Sequence, residues 1–290
     1  MGVVAPGFAA PPRALARGVA VLTEMGYSVV LGRSALARDG YFAGDDAARA
    51  NDLNSMLADP AVRGVWFARG GYGTARLLDL VDWSAARRDP KVLVGYSDAT
   101  ALFAVAAHRT RALCLYGPVV TEMGSPAAYH APSLAKMLAG GTIDVRFPAR
   151  AVLRGGHAQG RLLGGNLTVL AHLLGTKHAP DFRGAVLLLE DAGESVYRLD
   201  RLLQHLRMSG ALDRIAAVVF GSFEPEPARR EFPPDRPLLE LVREVFLPLG
   251  VPVVVGIPAG HLPGKWTLPI GGFARLDTSA RRLALSAAAP

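Results

Sequence analysis

Three side chains stand where a nucleophile, a base and an orienting acid would be needed. Ser97 sits in Gly95-Tyr96-Ser97-Asp98, directly after the apolar run Val92-Leu93-Val94. Residues 99–107 are short, apolar and helix-forming, so the pattern predicts a strand, a tight bend and a helix from about Asp98. A serine at such a bend meets the positive end of the helix dipole and free backbone N–H groups, which suit an anion or a developing oxyanion. Ser and Asp also cap helices without doing chemistry, and that reading stays open at this point. Glu190 closes the run Val186-Leu187-Leu188-Leu189. A carboxylate there either meets a partner or opens onto a cleft, because burying it alone is costly. Asp191 and Glu194 compete for the role; Glu190 is preferred because the strand fixes its direction. His261 follows Val253-Val254-Val255-Gly256 through Ile257-Pro258-Ala259-Gly260, where a histidine can serve as a base or simply stand exposed in a loop.

Each of the three lies just beyond the C-terminal end of a predicted strand, the edge where open α/β sheets bind ligands. Gly95-Tyr96-Ser97-Asp98-Ala99 resembles the nucleophile elbow of serine hydrolases, with Ala99 where the second glycine usually stands, and the chain order Ser, Glu, His is that of α/β-hydrolases. Oxyanion donors would come from the Asp98 N–H and from Gly70-Gly71-Tyr72-Gly73, where glycine lets backbone approach a substrate. That loop lacks the third glycine of a dinucleotide fingerprint and does not follow the first strand.

The elements that would carry these residues alternate in the first half. Gly2–Ala5, Tyr27–Leu31, Val62–Ala68 and Val92–Val94 read as strands, and Pro11–Met25, Asp45–Leu57, Thr74–Val81 and the segment after Ser97 as helices. This predicts an α/β fold with a parallel sheet. Beyond it come a helix to Leu174, a strand Ala185–Leu189, a helix Arg198–Met208, a strand Ile215–Phe220, a proline-rich loop from Glu224 to Pro237, a further helix, and short strands Val253–Gly256, Lys265–Ile270, Phe273–Leu276 and Leu283–Ser286. The expectation is an N-terminal α/β domain over residues 1–145 carrying the nucleophile, a linker over 146–160, and a smaller, strand-rich, barrel-like C-terminal domain over 161–290 carrying the acid and the base.

Of 290 residues, 50% are hydrophobic, so a substantial core is expected. The net charge of +7 comes from scattered arginines with short pairs such as Arg229-Arg230, without an aromatic-interleaved basic stripe, so nucleic acid is not the expected partner. The bias instead suits acidic ligands. The single cysteine, Cys114, lies in an apolar run and reads as an inert buried thiol. No two of the seven histidines have zincin spacing on a helix, so no metal is expected. Neither a leader-like N-terminus nor a long apolar span is visible, and the expected location is the cytoplasm.

Taken together, Arg69-Gly70-Gly71-Tyr72-Gly73, Gly95-Tyr96-Ser97-Asp98, Gly164-Gly165-Asn166-Leu167, Leu189-Glu190-Asp191 and Gly260-His261 resemble the motifs of the LD-carboxypeptidases, the murein tetrapeptide carboxypeptidases. The resemblance runs from Val4-Ala5-Pro6 to Thr267-Leu268-Pro269-Ile270-Gly271. It implies a serine peptidase with Ser97, His261 and Glu190 as triad and the N–H groups of Gly71 and Asp98 as oxyanion hole. It also implies an N-terminal domain like class I glutamine amidotransferases, a homodimer, no cofactor, and removal of terminal D-alanine from muropeptide tetrapeptides during cytoplasmic cell-wall recycling. Within the family, a microcin-immunity type cleaves peptidyl-nucleotide antibiotics; it would need an aromatic platform, and residues 124–141 hold Tyr129 but no tryptophan. A two-lobed binding protein without catalysis is the remaining alternative, but it has no need of the three residues. For substrate contacts, Arg69 is the candidate to grip a terminal carboxylate, against a structural ion pair. Asn166 either positions substrate or caps the next helix.

Overall fold

A computed structural model describes residues 1–225 and 236–288. The chain opens with strand β1 (Gly2–Val4), helix α1 (Pro12–Glu24), β2 (Val30–Leu31), α2 (Asp46–Ala58), β3 (Gly64–Phe67), α3 (Trp83–Arg88), β4 (Val92–Gly95), α4 (Thr100–Arg109) and β5 (Cys114–Tyr116). Helices α5 (Val120–Met123) and α6 (Ala131–Leu138) lead to β6 (Thr142–Arg146), β7 (Val152–Arg154) and the long β8 (His157–Asn166). The remainder is α7 (Leu167–Leu173), β9 (Val186–Ala192), α8 (Val196–Met208), β10 (Ala217–Glu224), α9 (Leu238–Phe246), β11 (Val253–Val254), β12 (Leu268–Ile270), β13 (Phe273–Asp277) and β14 (Arg282–Ser286).

Local chemistry explains the helix starts that matter. Proline occupies the first turn of α1, where a missing N–H is harmless. Asp45 accepts the Ala48 N–H and caps α2, and Asn166 accepts the Val169 N–H and caps α7. Helix α4 is buried from Thr100 to Ala107, and its many alanines let it pack closely against β8 and α7. Burying each large apolar side chain in such a layer stabilises by about 1.5–3 kcal/mol.

Strands β1 to β5 form a parallel sheet in the order β5-β4-β3-β1-β2, as the alternating pattern predicts. The second half is a mixed eight-stranded sheet, β6-β14-β13-β8-β9-β10-β11-β7, a half-barrel whose end strands β6 and β7 do not pair. The central strands β8, β9, β10 and β11 run parallel; the others are antiparallel.

Several expectations need correction. Residues 146–160 are no linker: β7 and most of the first half of β8 lie there, hydrogen-bonded into the second sheet. Strand β6, which no pattern predicted and which falls at the end of the expected 1–145 domain, pairs with β14. Conversely, β12 leaves the second half and pairs antiparallel with β5, completing the first sheet. Residues 74–81 form only a 3-10 turn, Thr74–Leu77, whose first N–H and hydroxyl, both on Thr74, are capped by Asp98. The second strand shrinks to Val30–Leu31 at an exposed sheet edge. Most of the proline-rich loop and the Arg229-Arg230 pair lie outside the described residues. Among the described residues, no helix is long and apolar enough to cross a membrane.

Candidate active site

Strand β4 ends at Gly95 and delivers Ser97 into a single left-handed residue, φ 62°. A side chain in that region stores about 1–3 kcal/mol of strain and persists only where the surroundings impose it. The imposing contact is Tyr116 at the end of β5, whose hydroxyl accepts the Ser97 N–H at 3.1 Å. The Ser97 hydroxyl is thereby turned towards His261, with Oγ 3.1 Å from Nε2. His261 Nδ1 lies 2.7 Å from Glu190 Oε2. An ionised carboxylate can only accept, so Nδ1 carries the proton and Nε2 is left as the acceptor facing the serine.

Glu190 lies inside β9, which continues to Ala192, rather than beyond the strand's end. It is fully buried yet well satisfied. Tyr116 donates to Oε1 at 2.7 Å and Asn166 Nδ2 at 3.2 Å. The backbone N–H of His261 donates to Oε2 at 3.2 Å. Gly260, with φ 97°, makes the close passage possible: a Cβ there would stand 2.2 Å from Glu190 Oε2. His261 itself sits in a loop between β11 and β12. Tyr96 packs on its ring at 4.9 Å and donates to Glu122 at 2.8 Å. Lys265, nearly buried, donates to the same carboxylate at 2.8 Å and stands 4.8 Å from the Tyr96 ring centre.

Burial pushes the His261 pKa down, but the hydrogen bond and charge of Glu190, aided by Asp191, outweigh it. The net displacement is upward from 6.5, opposed only weakly by Lys265. Asp98, behind the nucleophile turn, is raised by burial to about 6, although Thr74, Gly73 and Arg49 favour its charged form. Its carboxylate accepts the Thr74 N–H at 2.9 Å and the Thr74 hydroxyl at 2.6 Å. The nucleophile turn and the glycine loop are thus pinned together. Asp191 is likewise raised to about 6 by burial, against a hydrogen bond from the Thr168 N–H.

Ser97, His261, Asn166, Gly71 and Asp98 line one cleft of about 480 Å³, together with Tyr72, Thr168, His172, Asp191 and Glu194. The N–H groups of Gly71 and Asp98 have no hydrogen-bond acceptor among the described residues. Such a cleft presents a hydroxyl, an oriented imidazole and free N–H donors to a bound carbonyl. Among the described residues, no three His, Cys, Asp or Glu side chains are grouped to hold a metal ion.

Two family models cover most of the chain: the LD-carboxypeptidase N-terminal domain matches residues 1–117 and the LD-carboxypeptidase C-terminal domain residues 159–276. A putative carboxypeptidase of Streptomyces coelicolor is 41% identical over 98% of this chain and 92% of its own. The chain belongs to the LD-carboxypeptidase family. The crystal structure of a muramoyltetrapeptide carboxypeptidase from Oxalobacter formigenes superimposes with a TM-score of 0.87 at 31% identity, covering 100% of both chains. The microcin C7 self-immunity protein of Escherichia coli is 26% identical over 93% of this chain and 87% of its own.

Two expectations about substrate contacts in this member of the family change with the structure. Arg69 does not line the cleft; its guanidinium donates to the Ala9 carbonyl at 3.0 Å and lies 5.6 Å from the Phe8 ring. Followed by two glycines, an arginine looks free in sequence, but here the Ala9 carbonyl engages it. Asn166 caps α7, holds Glu190 and faces the cleft at once. Sequence reasoning missed Tyr116, which reads as core in the run Ala112–Tyr116. The usable signal was a hydroxyl-bearing residue closing a strand adjacent to β4. It also missed the Asp98–Thr74 clasp and the Lys265–Glu122 pair.

Proposed function

We propose that this protein is a serine peptidase that hydrolyses an L,D-peptide bond, releasing terminal D-alanine from muropeptide tetrapeptides in cytoplasmic peptidoglycan recycling. One observation carries the reading: Ser97 Oγ, both His261 ring nitrogens and Glu190 Oε2 form a continuous hydrogen-bonded chain at 3.1 and 2.7 Å, opening onto the cleft. Kinship with a muramoyltetrapeptide carboxypeptidase supports the choice of substrate.

In the proposed reaction His261 Nε2 takes the Ser97 proton as Oγ attacks the carbonyl carbon. Glu190 holds the Nδ1–H tautomer and stabilises the imidazolium. The oxyanion is received by the N–H groups of Gly71 and Asp98; one such donor typically lowers the barrier by about 3–4 kcal/mol. The imidazolium then protonates the leaving amine of D-alanine. Water, deprotonated by His261, cleaves the acyl-enzyme and returns Ser97.

No residue of 124–141, the segment expected to carry a nucleobase platform, lines the cleft, which favours the muropeptide over a nucleotide conjugate. The test is incubation with tetrapeptides ending in D-Ala or L-Ala, with and without a chelator, alongside a peptidyl-adenylate. D-alanine should appear only from the D-ended peptide, at a rate the chelator leaves unchanged. Ser97→Ala should lower kcat by about 10⁴-fold or more. Undiminished release by that variant, or loss of activity to the chelator, overturns the reading.

A further inference from the structure

We infer that Tyr116 is a positioning residue of this site: its hydroxyl joins the backbone of the nucleophile turn to the carboxylate that orients His261, fixing both together. The inference rests on the peptidase reading above.

The geometry is specific. Tyr116 is 1% exposed, and its hydroxyl has an incoming N–H from Ser97 at 3.1 Å and an outgoing bond to Glu190 Oε1 at 2.7 Å. The first bond holds Ser97 at φ 62°. Without it a partly buried N–H loses its acceptor and the turn has reason to relax. It also commits the nucleophile's own N–H to the interior, leaving Gly71 and Asp98 as the oxyanion donors. The second bond helps fill the carboxylate. Tyr116 and Asn166 occupy Oε1, and the His261 N–H and Nδ1–H occupy Oε2, so four donors meet about four lone pairs. Burial and the Glu190 charge keep the phenol protonated far into the alkaline range, so it remains a donor.

Removing that donor concentrates the Glu190 charge on the oxygen facing the imidazole. The other groups facing His261 are Asp191 beside Glu190 on β9, Tyr96 with Glu122 behind it on α5, and Lys265 on its own loop. Tyr96 meets the Tyr116 ring edge-on at 6.1 Å, a contact between rings that both variants below keep, and neither variant changes a charge among these groups, so a moved acid limb reports the Tyr116–Glu190 bond.

Two variants of the whole chain test this: Tyr116→Phe, and 3-fluorotyrosine placed at 116, which keeps the ring and makes the hydroxyl a stronger donor. Each is assayed for D-alanine release and for phosphorylation of Ser97 by diisopropyl fluorophosphate, with loss of fluoride, across pH. Tyr116→Phe should lower kcat about 10- to 100-fold with KM within about twofold, and move the acid limb to higher pH. The fluorinated protein should move the limb the opposite way. Wild-type kcat in Tyr116→Phe, or slower variants with an unmoved limb, overturns the inference; if Tyr116→Phe does not fold, the fluorinated protein decides. Phosphorylation of Ser97 by that reagent without any D-alanine release sinks the substrate assignment alone, and the phosphorylation profiles still judge Tyr116. A wild-type protein that neither reacts nor releases D-alanine overturns both.

Discussion

At the scale of single residues the site depends on whose proton His261 holds, and when. Its pKa is raised above 6.5, and the base form is the reactive one, so activity is lost as pH falls through the raised value. A pH profile of kcat/KM should therefore show an acid limb above about pH 6.5, the ordinary imidazole value. Glu190→Gln removes the two largest raising causes and leaves burial and Lys265, which lower the value, against Asp191 alone, which raises it. Its limb should drop below the wild-type one while kcat falls by about 10⁴-fold, the loss expected when the tautomer is no longer held; a limb left in place argues against Glu190 as the partner. Ser97, Glu190 and His261 were legible in sequence because each interrupts or follows an apolar run whose direction is fixed. Tyr116 was not, since an aromatic ring in such a run reads as packing and only its place at the end of the strand beside β4 hints at a use for the hydroxyl. Arg69 was misread because sequence shows a charge but not the carbonyl of Ala9 that engages it.

At the scale of elements, the loop from β11 to β12 is held by contacts that tolerate little change. Gly260→Ala imposes both a left-handed φ and a Cβ on the Glu190 carboxylate. The backbone term alone is about 1–3 kcal/mol, and the collision displaces the imidazole as well. Thermal melts should show a lower Tm, and kcat should fall more than about 100-fold because an ångström of misplacement is that costly in oriented catalysis; full activity in this variant would mean the loop is not held as described. Parallel strands β1, β3 and β4 and helices α1 and α2 were readable from period and caps. The destination of β12 was not: Leu268-Pro269-Ile270 is a short apolar strand whichever sheet receives it, and only β5's unpaired edge decides. Pro269 fits that edge because it has no N–H to give. Similarly, the segment from Thr74 closes as a single 3-10 turn capped by Asp98 from twenty-four residues away, a contact that the local pattern does not show.

Across the whole molecule the two sheets exchange strands, β6 going one way and β12 the other. A protein ending at residue 145 should therefore give no cooperative thermal transition, whereas the full chain should unfold in one transition seen alike by far-UV and near-UV circular dichroism. Buried Asp98 and Asp191 bind protons more tightly in the folded state, at about 6 against 3.8. Stability from these two groups therefore declines as pH rises from about 4 to about 6 and is level above that. His261 has the same sign, its share being lost as pH climbs through its raised value. Asp98→Asn removes one such group, so its Tm relative to wild type should improve between about pH 4 and pH 7; a gap that stays constant with pH contradicts the assignment. The imidazole rides on a tether anchored at one end in each sheet, at β11 and at β12. Any rocking of the halves is thus translated directly into slack between hydroxyl and ring, so warming should silence turnover before it melts the fold.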